Sequence, residues 1–361
     1  MGAAAGAAGA RPARRAALAA GLGAALLARG ATGPAPARAG ALLDRRRAEL
    51  ARTRELLAAD PESQLLAAQQ YLLQNEVERV AGNAEFVAEA RGRLDGGEGG
   101  GAGGYFARVR LRVPDLAREV RFWTRGLGMA VVRGSPEEGA CAVGYAPESL
   151  AQEDGGGFAL ELTGVPPGLE RPGGARGGGG ALAFLQVALP NMISMSKVDE
   201  AGGEILSGYG WLRIRSPGGV DVRAYVGRRR DPVELVALRD DGPPGGGGVA
   251  FYRGLGMAER PVPVPEDLFS PSPPEGSRLL CFGDEAAETG LLLLAPEAEA
   301  GGSRGPGVLQ GLSIVTASGG TAVRDPAGDA VEVLDLAGFQ AGLPPADIKD
   351  LTLAGVPALR L

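Results

Sequence analysis

Histidine is absent from this chain of 361 residues, and this absence is the most informative feature of its composition. It excludes Ser-His-Asp and Cys-His catalysis and every metal site that uses an imidazole ligand. The two cysteines, Cys141 and Cys281, are too few for a disulfide framework or a thiolate zinc site. Any catalysis must therefore use carboxylate, amide or hydroxyl groups.

Lysine is also scarce, since it occurs only at Lys197 and Lys349, and the formal net charge is −6. Nucleic-acid-binding proteins neutralise phosphates with clustered cations, and this chain has no lysine-rich run. We therefore expect no nucleic-acid partner. The chain contains 61 glycines and 27 prolines, which indicates that part of it does not pack into a core.

Residues 1–39 have the composition of a targeting leader. No acidic residue precedes Asp44, and Arg14-Arg15 stand before an apolar run from Ala16 to Ala28 that is too short to span a bilayer. Ala37-Arg38-Ala39 resembles a cleavage site. The pattern predicts a twin-arginine-like plastid leader, a chloroplast location that includes the thylakoid lumen as a candidate, and no membrane span in the mature protein. A disordered Ala/Arg tail is the alternative.

Residues 41–95 are predicted to form a helical hairpin. Leucine and alanine recur there at steps of three and four residues, as they do on the buried side of a helix. Asp60-Pro61 interrupts the pattern, because proline disfavours the helical conformation in the residue before it. The hairpin is either a packed accessory pair or an element for docking or oligomerisation. The Gly-rich residues 96–104 are expected to be a flexible linker.

From Tyr105 onward the sequence changes to short apolar strands. Arg108, Arg110 and Arg112 alternate with apolar residues, which is the period of a half-buried strand. Pro114-Asp115 then starts a helix, which ends at Gly126-Leu127-Gly128. With the short strands that follow, this is the order of a βαβββ unit.

One sequence segment occurs twice. Arg125-Gly-Leu-Gly-Met-Ala130 recurs as Arg253-Gly-Leu-Gly-Met-Ala258, and each copy follows an aromatic pair, Phe122-Trp123 or Phe251-Tyr252. Such an identity indicates a duplicated module. We predict an α+β fold with two homologous domains built from βαβββ units, preceded by the hairpin and a disordered leader. The first domain spans 105–240, the second, truncated domain spans 249–341, and 342–361 form a tail.

These segments resemble the glyoxalase I branch of the vicinal oxygen chelate superfamily. Leu111 to Arg118 and Phe122 to Met129 resemble its opening strand, helix and Leu-Gly-Met turn. Phe158 to Thr163 resembles an internal strand, and Arg324 to Leu334 resembles the closing Asp-Pro-x-Gly turn and final strand. The resemblance covers residues 105–341. It implies a cleft that holds a divalent metal and the hemithioacetal of glutathione.

The resemblance also implies site residues. Glu161, Gln310 and Glu332 stand at metal-ligand positions, and Arg108 stands where the family has histidine. Glu332 would be the catalytic base, with Glu161 able to serve the opposite face of the substrate. Arg133 matches the family's anchor for a glutathione carboxylate, and a solvated arginine is the alternative. The metal would be Ni, Co, Mn, Mg or Zn, and glutathione would be the co-substrate.

Two observations bear on the metal hypothesis. An inward carboxylate is costly unless it is paired or coordinated, so Glu161 and Glu332 on apolar strands suit a shared metal, unless they face solvent. Arg108 is a departure, because its guanidinium stays protonated and cannot ligate a metal. Either three oxygen donors and water hold the metal, or Arg108 enters the cleft as a substrate-binding residue or as a partner of Glu161 that replaces the metal.

The second cleft is predicted to be inactive, and the second domain looks incomplete. Phe184 and Leu292 or Leu293 stand at ligand positions, which leaves only Glu234. Gly242 to Gly248 occupy the place of the second domain's first strand, and few residues join Val315 to Arg324 where a helix and a strand are expected. A second chain could supply missing strands, so the protein is expected to be a monomer or a homodimer.

The leading functional hypothesis is a lactoylglutathione-lyase-type isomerisation of the glutathione-methylglyoxal hemithioacetal to S-lactoylglutathione, which detoxifies methylglyoxal. The alternative is a non-catalytic small-molecule-binding or interaction protein that has lost the metal site. A third hypothesis is a metal-independent relative with other chemistry, because fold does not fix function. The incomplete ligand set leaves open whether the chain is an enzyme.

Overall fold

The computed structural model describes residues 36–96, 103–150, 155–165, 182–189, 195–208, 211–240, 247–262, 272–285, 287–295, 308–341 and 343. Most of the leader at 1–39, of the linker at 96–104 and of the tail at 342–361 lies outside these residues. The plastid location therefore stays a prediction, which a fluorescent fusion of residues 1–39 would test. No helix in the described part of the chain combines the length and the apolar character needed to cross a bilayer.

The predicted helical hairpin is confirmed. Helix α1 spans Pro36–Ala59 and helix α2 spans Gln64–Leu94, with the break at Asp60-Pro61. Ser63 caps α2, because its hydroxyl accepts a hydrogen bond from the backbone N–H of Leu66 at 3.4 Å.

Four units follow the hairpin. The first comprises β1 (Gly104–Val113), α3 (Leu116–Arg121, continued by a π-helical turn at Phe122–Gly126), β2 (Ala130–Ser135), β3 (Ala140–Gly144) and β4 (Ala159–Gly164). The second comprises β5 (Leu182–Leu189), α4 (Met195–Glu200), β6 (Glu204–Ser207), β7 (Leu212–Arg215) and β8 (Asp221–Val226). The third comprises β9 (Val233–Arg239), α5 (Gly247–Gly254), β10 (Ala258–Arg260), β11 (Arg278–Cys281) and β12 (Gly290–Leu294). The fourth comprises β13 (Leu309–Thr316), β14 (Val323–Arg324) and β15 (Ala330–Leu334), and helix α6 (Leu336–Ala341) follows it.

The strands form two sheets, and each sheet combines two units. The first sheet has the order β14-β15-β13-β1-β4-β3-β2, so it joins the first unit to the fourth. The second sheet has the order β10-β11-β12-β9-β5-β8-β7-β6, so it joins the second unit to the third. The predicted α+β fold of βαβββ units is confirmed. The predicted domains, 105–240 and 249–341, do not correspond to the two sheets, because each sheet combines one unit from each half of the chain.

The second domain does not lack its first strand. Strand β9 at Val233–Arg239, which the sequence analysis assigned to the first domain, pairs with both β5 and β12 and precedes α5. That helix begins at Gly247, and most of the Gly-rich residues 242–248 lie outside the described residues. The short connection after Val315 is a real feature of the fourth unit, since no helix lies between β13 and β14 within the described residues 308–341.

The repeated segments occupy equivalent places in the first and third units. Each aromatic pair packs edge to face, with ring centroids 5.1 Å apart for Phe122-Trp123 and 5.0 Å apart for Phe251-Tyr252. In each copy the N–H of the methionine bonds to the carbonyl of the second aromatic residue, at 3.0 Å in the first copy and 3.2 Å in the second. This agreement supports the duplication inferred from the sequence.

One apolar core is shared by both sheets and by helices α3, α4 and α5. The first sheet contributes Val109, Leu160 and Ile314 to it, and the second sheet contributes Leu185 and Val236. Because side chains alternate along a strand, the strand residues next to these core residues point away from the core, to the opposite face of each sheet. We call that face the outer face. On the first sheet, part of it is covered by α2 and α6.

Candidate functional site

The outer face of the first sheet carries most of the residues predicted for the site. Strand β1 turns Val109, Leu111 and Val113 to the shared core, so its alternating residues Arg108, Arg110 and Arg112 belong to the outer face. Glu161 lies between the core residues Leu160 and Leu162, and Glu332 lies between Val331 and Val333. The strand register brings these side chains together on one face of the sheet, because Glu161 of β4 is paired with Arg110, and Glu332 of β15 is paired through Ser313 of β13 with Arg108.

Arg108 is buried in an ion cluster of two arginines and two glutamates. Its Nε donates to Glu148 Oε1, its Nη2 donates to Glu148 Oε2 at 3.2 Å, and its Nη1 donates to Glu161 Oε2 at 3.4 Å. Arg133 Nη2 donates to the same oxygen of Glu161 at 2.7 Å, and Arg133 Nε lies 3.5 Å from Glu148 Oε2. Burial raises the pKa of Glu148, and the charges of Arg108 and Arg133 oppose that rise.

Glu332 lies apart from this cluster, towards the edge of the sheet. Its Oε2 accepts a hydrogen bond from Ser313 Oγ at 3.1 Å and lies 3.4 Å from Arg110 Nη1. Ser313 is directly opposite Glu332 in the pairing of β13 with β15.

Gln310 contacts a third arginine of β1. In the amide orientation that satisfies both groups, its Oε1 accepts from Arg112 Nε at 2.7 Å and from Arg112 Nη2 at 2.9 Å. Each of the three oxygen donors predicted to bind a metal is thus paired with an arginine of β1: Glu161 with Arg108, Glu332 with Arg110, and Gln310 with Arg112.

These residues do not fit a divalent metal. A metal ligand must offer a free lone pair, and a dication beside Arg108, Arg110 and Arg133 would meet three protonated guanidinium groups. Nowhere in the described residues do three or more His, Cys, Asp and Glu side chains form a group that could hold a metal ion. The arrangement instead favours an anion, because four arginines face three glutamates on this surface.

The outer face of the second sheet has a different character. Phe184 is buried, and the guanidinium of Arg223 lies 3.5 Å from the centre of its ring. Leu292 lies on this outer face, whereas Leu293 belongs to the shared core. The carboxylate of Glu234 accepts hydrogen bonds from Gln186 Nε2 at 2.7 Å and from Tyr225 Oη at 2.8 Å. The only carboxylate predicted for this site is therefore engaged by neighbouring side chains.

The sequence analysis missed Glu148, the most buried carboxylate of the ion cluster. It lies in the segment between β3 and β4, where no periodicity marks it, and its nearest sequence neighbours are not charged. Arg110, Arg112 and Ser313 had no role among the sequence-based predictions either. The alternating arginines of β1 were the available signal, because three cations on one face of a strand require acidic or polar partners.

Comparisons with known proteins agree with this architecture. The profile of the Glyoxalase/Bleomycin resistance protein/Dioxygenase superfamily matches residues 105–215. A crystal structure of a glyoxalase I mutant from Zea mays has 20% identity and a TM-score of 0.50, covering 67% of this chain and 97% of that chain. A second glyoxalase I mutant from Zea mays has 19% identity and a TM-score of 0.50, covering 72% and 99%. At these identities the structural likeness shows the fold. No curated protein matches the chain at the level of sequence.

Proposed function

We propose that this chain, whose residues 105–215 match the profile of the Glyoxalase/Bleomycin resistance protein/Dioxygenase superfamily, is a glyoxalase-like protein that binds a small anionic molecule without a metal. The proposed site is the outer face of the first sheet. One observation carries this proposal: the arginines of β1 occupy the oxygen donors that a metal would need, and together with Arg133 of β2 they outnumber the neighbouring glutamates by four to three.

Arg112 and Arg110 are the groups best placed to receive the anion. Arg112 is exposed, and the neutral amide of Gln310 orients its guanidinium without compensating the charge. Arg110 is partly exposed, its nearest carboxylate oxygen is 3.4 Å away, and its buried Nε has no hydrogen-bond partner among the described residues. Guanidinium groups bind carboxylates and phosphates through paired N–H donors. The ligand is therefore a small molecule with a carboxylate or a phosphate group.

Calorimetric titration of the full chain in buffer containing EDTA tests this proposal, with glutathione and inorganic phosphate as separate probes. We expect binding of at least one probe and a loss of affinity of about 10- to 100-fold in Arg112→Gln, since a hydrogen bond to a charged group contributes roughly 1.5–3 kcal/mol. The matched control is Arg121→Gln, because Arg121 is an exposed arginine of α3. Binding of neither probe, or equal affinity in Arg112→Gln, would refute the proposal.

A second candidate function is the lactoylglutathione lyase activity implied by the resemblance, with glutathione as co-substrate and a divalent metal. The observation that favours it is the placement of Glu161 and Glu332 on the same outer face, with Glu332 still partly exposed at 34% of its side chain. In this candidate function, Glu332 would act as the base that transfers a proton between two carbons of the substrate. Arg133 would bind a carboxylate of glutathione.

An assay with methylglyoxal, glutathione and a panel of divalent metals separates the two candidates. If the chain is a lyase, thioester forms and Glu332→Gln lowers kcat at least about 100-fold, which is the scale of a lost general base. Glu200→Gln on the exposed side of α4 is the control. The lyase assignment fails when no metal supports turnover, or when Glu332→Gln turns over like the unmodified chain.

A further inference from the structure

The ion cluster of Arg108, Arg133, Glu148 and Glu161 joins four parts of the first unit. Arg108 comes from β1, Arg133 from β2, Glu161 from β4, and Glu148 from the segment between β3 and β4. Two arginines and two glutamates balance in charge, and Glu161 Oε2 and Glu148 Oε2 each contact both arginines. The cluster thus adds side-chain contacts between β1 and β2 and between each of them and the Glu148 segment, which are not paired directly in the sheet, as a bound metal connects its ligands.

The Arg108 and Glu148 side of the cluster is buried, whereas the side chains of Arg133 and Glu161 are each 23% exposed. The guanidinium of Arg108 lies 4.5 Å from the ring centre of Phe339 on α6, and Phe339 packs edge to face on Tyr105 with centroids 6.0 Å apart. Arg91 of α2 donates to the carbonyl of Leu150 at 2.5 Å, which fixes the segment that carries Glu148. Arg108 and Glu148 are only 6% and 4% exposed, so water has little access to their contact.

Because Arg108 and Glu148 are both buried, the energetic cost of each charge depends on the presence of the other. A buried charge that loses its partner is strongly destabilising, whereas the removal of both partners together is often neutral. The removal of Arg108 and Glu148 together would leave Arg133 and Glu161 as a balanced pair at 2.7 Å.

From this geometry we infer that the four-residue ion cluster has replaced the metal centre of the first sheet and acts as a metal-independent cross-link between β1, β2, β4 and the Glu148 segment. The inference does not depend on anion binding at Arg112. It assigns to Arg108 and Glu148 a structural role at the place where the family resemblance implies a metal ligand.

Thermal unfolding of the full chain tests the inference. The Tm of the unmodified chain should be the same in EDTA as in Ni²⁺, Mn²⁺ or Zn²⁺. Arg108→Met should lower Tm by about 10 °C, because it removes the guanidinium that contacts both oxygens of Glu148 and leaves that carboxylate as a poorly compensated buried charge. The double variant Arg108→Met with Glu148→Met should recover at least half of that loss, because no unpaired charge remains.

The control is Arg215, a more exposed arginine that also contacts two carboxylates, Asp221 at 3.0 Å and Glu204 at 3.4 Å. Arg215→Met should change Tm by less than about 2 °C, because exposed pairs contribute little. Two outcomes would overturn the inference. One is a double variant as unstable as Arg108→Met alone. The other is a metal-dependent rise in the Tm of the unmodified chain that disappears in Glu161→Gln.

Discussion

Asp231→Ala is expected to lower the free energy of unfolding by about 3–5 kcal/mol. The carboxylate of Asp231 is 3% exposed and accepts two backbone N–H groups, from Phe158 at 2.5 Å and from Val233 at 3.0 Å. Burial raises the pKa of this carboxyl, and Arg230 and the two N–H donors oppose the rise. Alanine would leave both donors unpaired in the interior and would remove one of the two negative charges, Asp231 and Glu288, that act on Arg230. Urea unfolding followed by circular dichroism measures the loss.

Asp115→Ala is the matched control for Asp231→Ala. Asp115 also accepts a backbone N–H, from Arg118 at 3.0 Å, but it does so at the exposed start of α3. Loss of such a helix cap costs about 1 kcal/mol. Equal losses of unfolding free energy in the two variants would show that Asp231 does not stabilise the contact between the two sheets. The contrast matters because Asp231 precedes β9 on the second sheet and binds the backbone just before β4 on the first.

The second large effect is expected for Phe86→Ala in helix α2, with a loss of about 3–5 kcal/mol in unfolding free energy. Phe86 is 4% exposed, packs edge to face on Tyr105 with centroids 6.1 Å apart, and lies 3.7 Å from the guanidinium of Arg230. A Cβ added at Gly156, whose φ is +73°, would lie 2.4 Å from Phe86, so this contact is tight. Removal of the ring would open a cavity between the hairpin and the first sheet.

Leu65→Ala, on the same helix, provides the control. Leu65 is 44% exposed, and substitutions at such positions change stability by about 0.5 kcal/mol or less. If Phe86→Ala is as mild as Leu65→Ala in urea unfolding, the hairpin does not stabilise the sheets. If the losses differ as expected, the hairpin is a packed part of the fold, which is one of the two interpretations that its sequence allowed.

The sequence was informative wherever a local pattern determines the structure. Asp60-Pro61 marked the turn of the hairpin because proline restricts the residue before it, and this effect needs no tertiary context. The alternating arginines of β1 marked a strand with two unlike faces, and the repeated Gly-Leu-Gly-Met segments marked equivalent turns after α3 and α5. Each of these signals depends on residues that are close in sequence.

The remaining features depend on residues that are distant in sequence, and the sequence analysis failed there. Strand β9 was assigned to the preceding domain, because strand order within a sheet is set by long-range pairing with β5 and β12. Glu148 had no signal, because its partners lie on β1 and β2. A pairing of Arg108 with Glu161 was one of the possibilities left open by the sequence, and the structure contains it. Metal binding by Glu161, Gln310 and Glu332 stays a prediction, and the arginine paired with each of these residues opposes it.

The union of the first and fourth units in one sheet has a consequence for how the chain is made. Tyr105 of β1 pairs with Val315 of β13, which is about 210 residues later in the chain. The ribosome therefore releases β1 long before β13 has been synthesised. The second sheet is built from adjacent units and can form while synthesis continues. Until β13 arrives, β1 has an unpaired edge, and unpaired strand edges promote association between chains. Translation speed and chaperones that shield this edge are therefore expected to control the yield of folded protein.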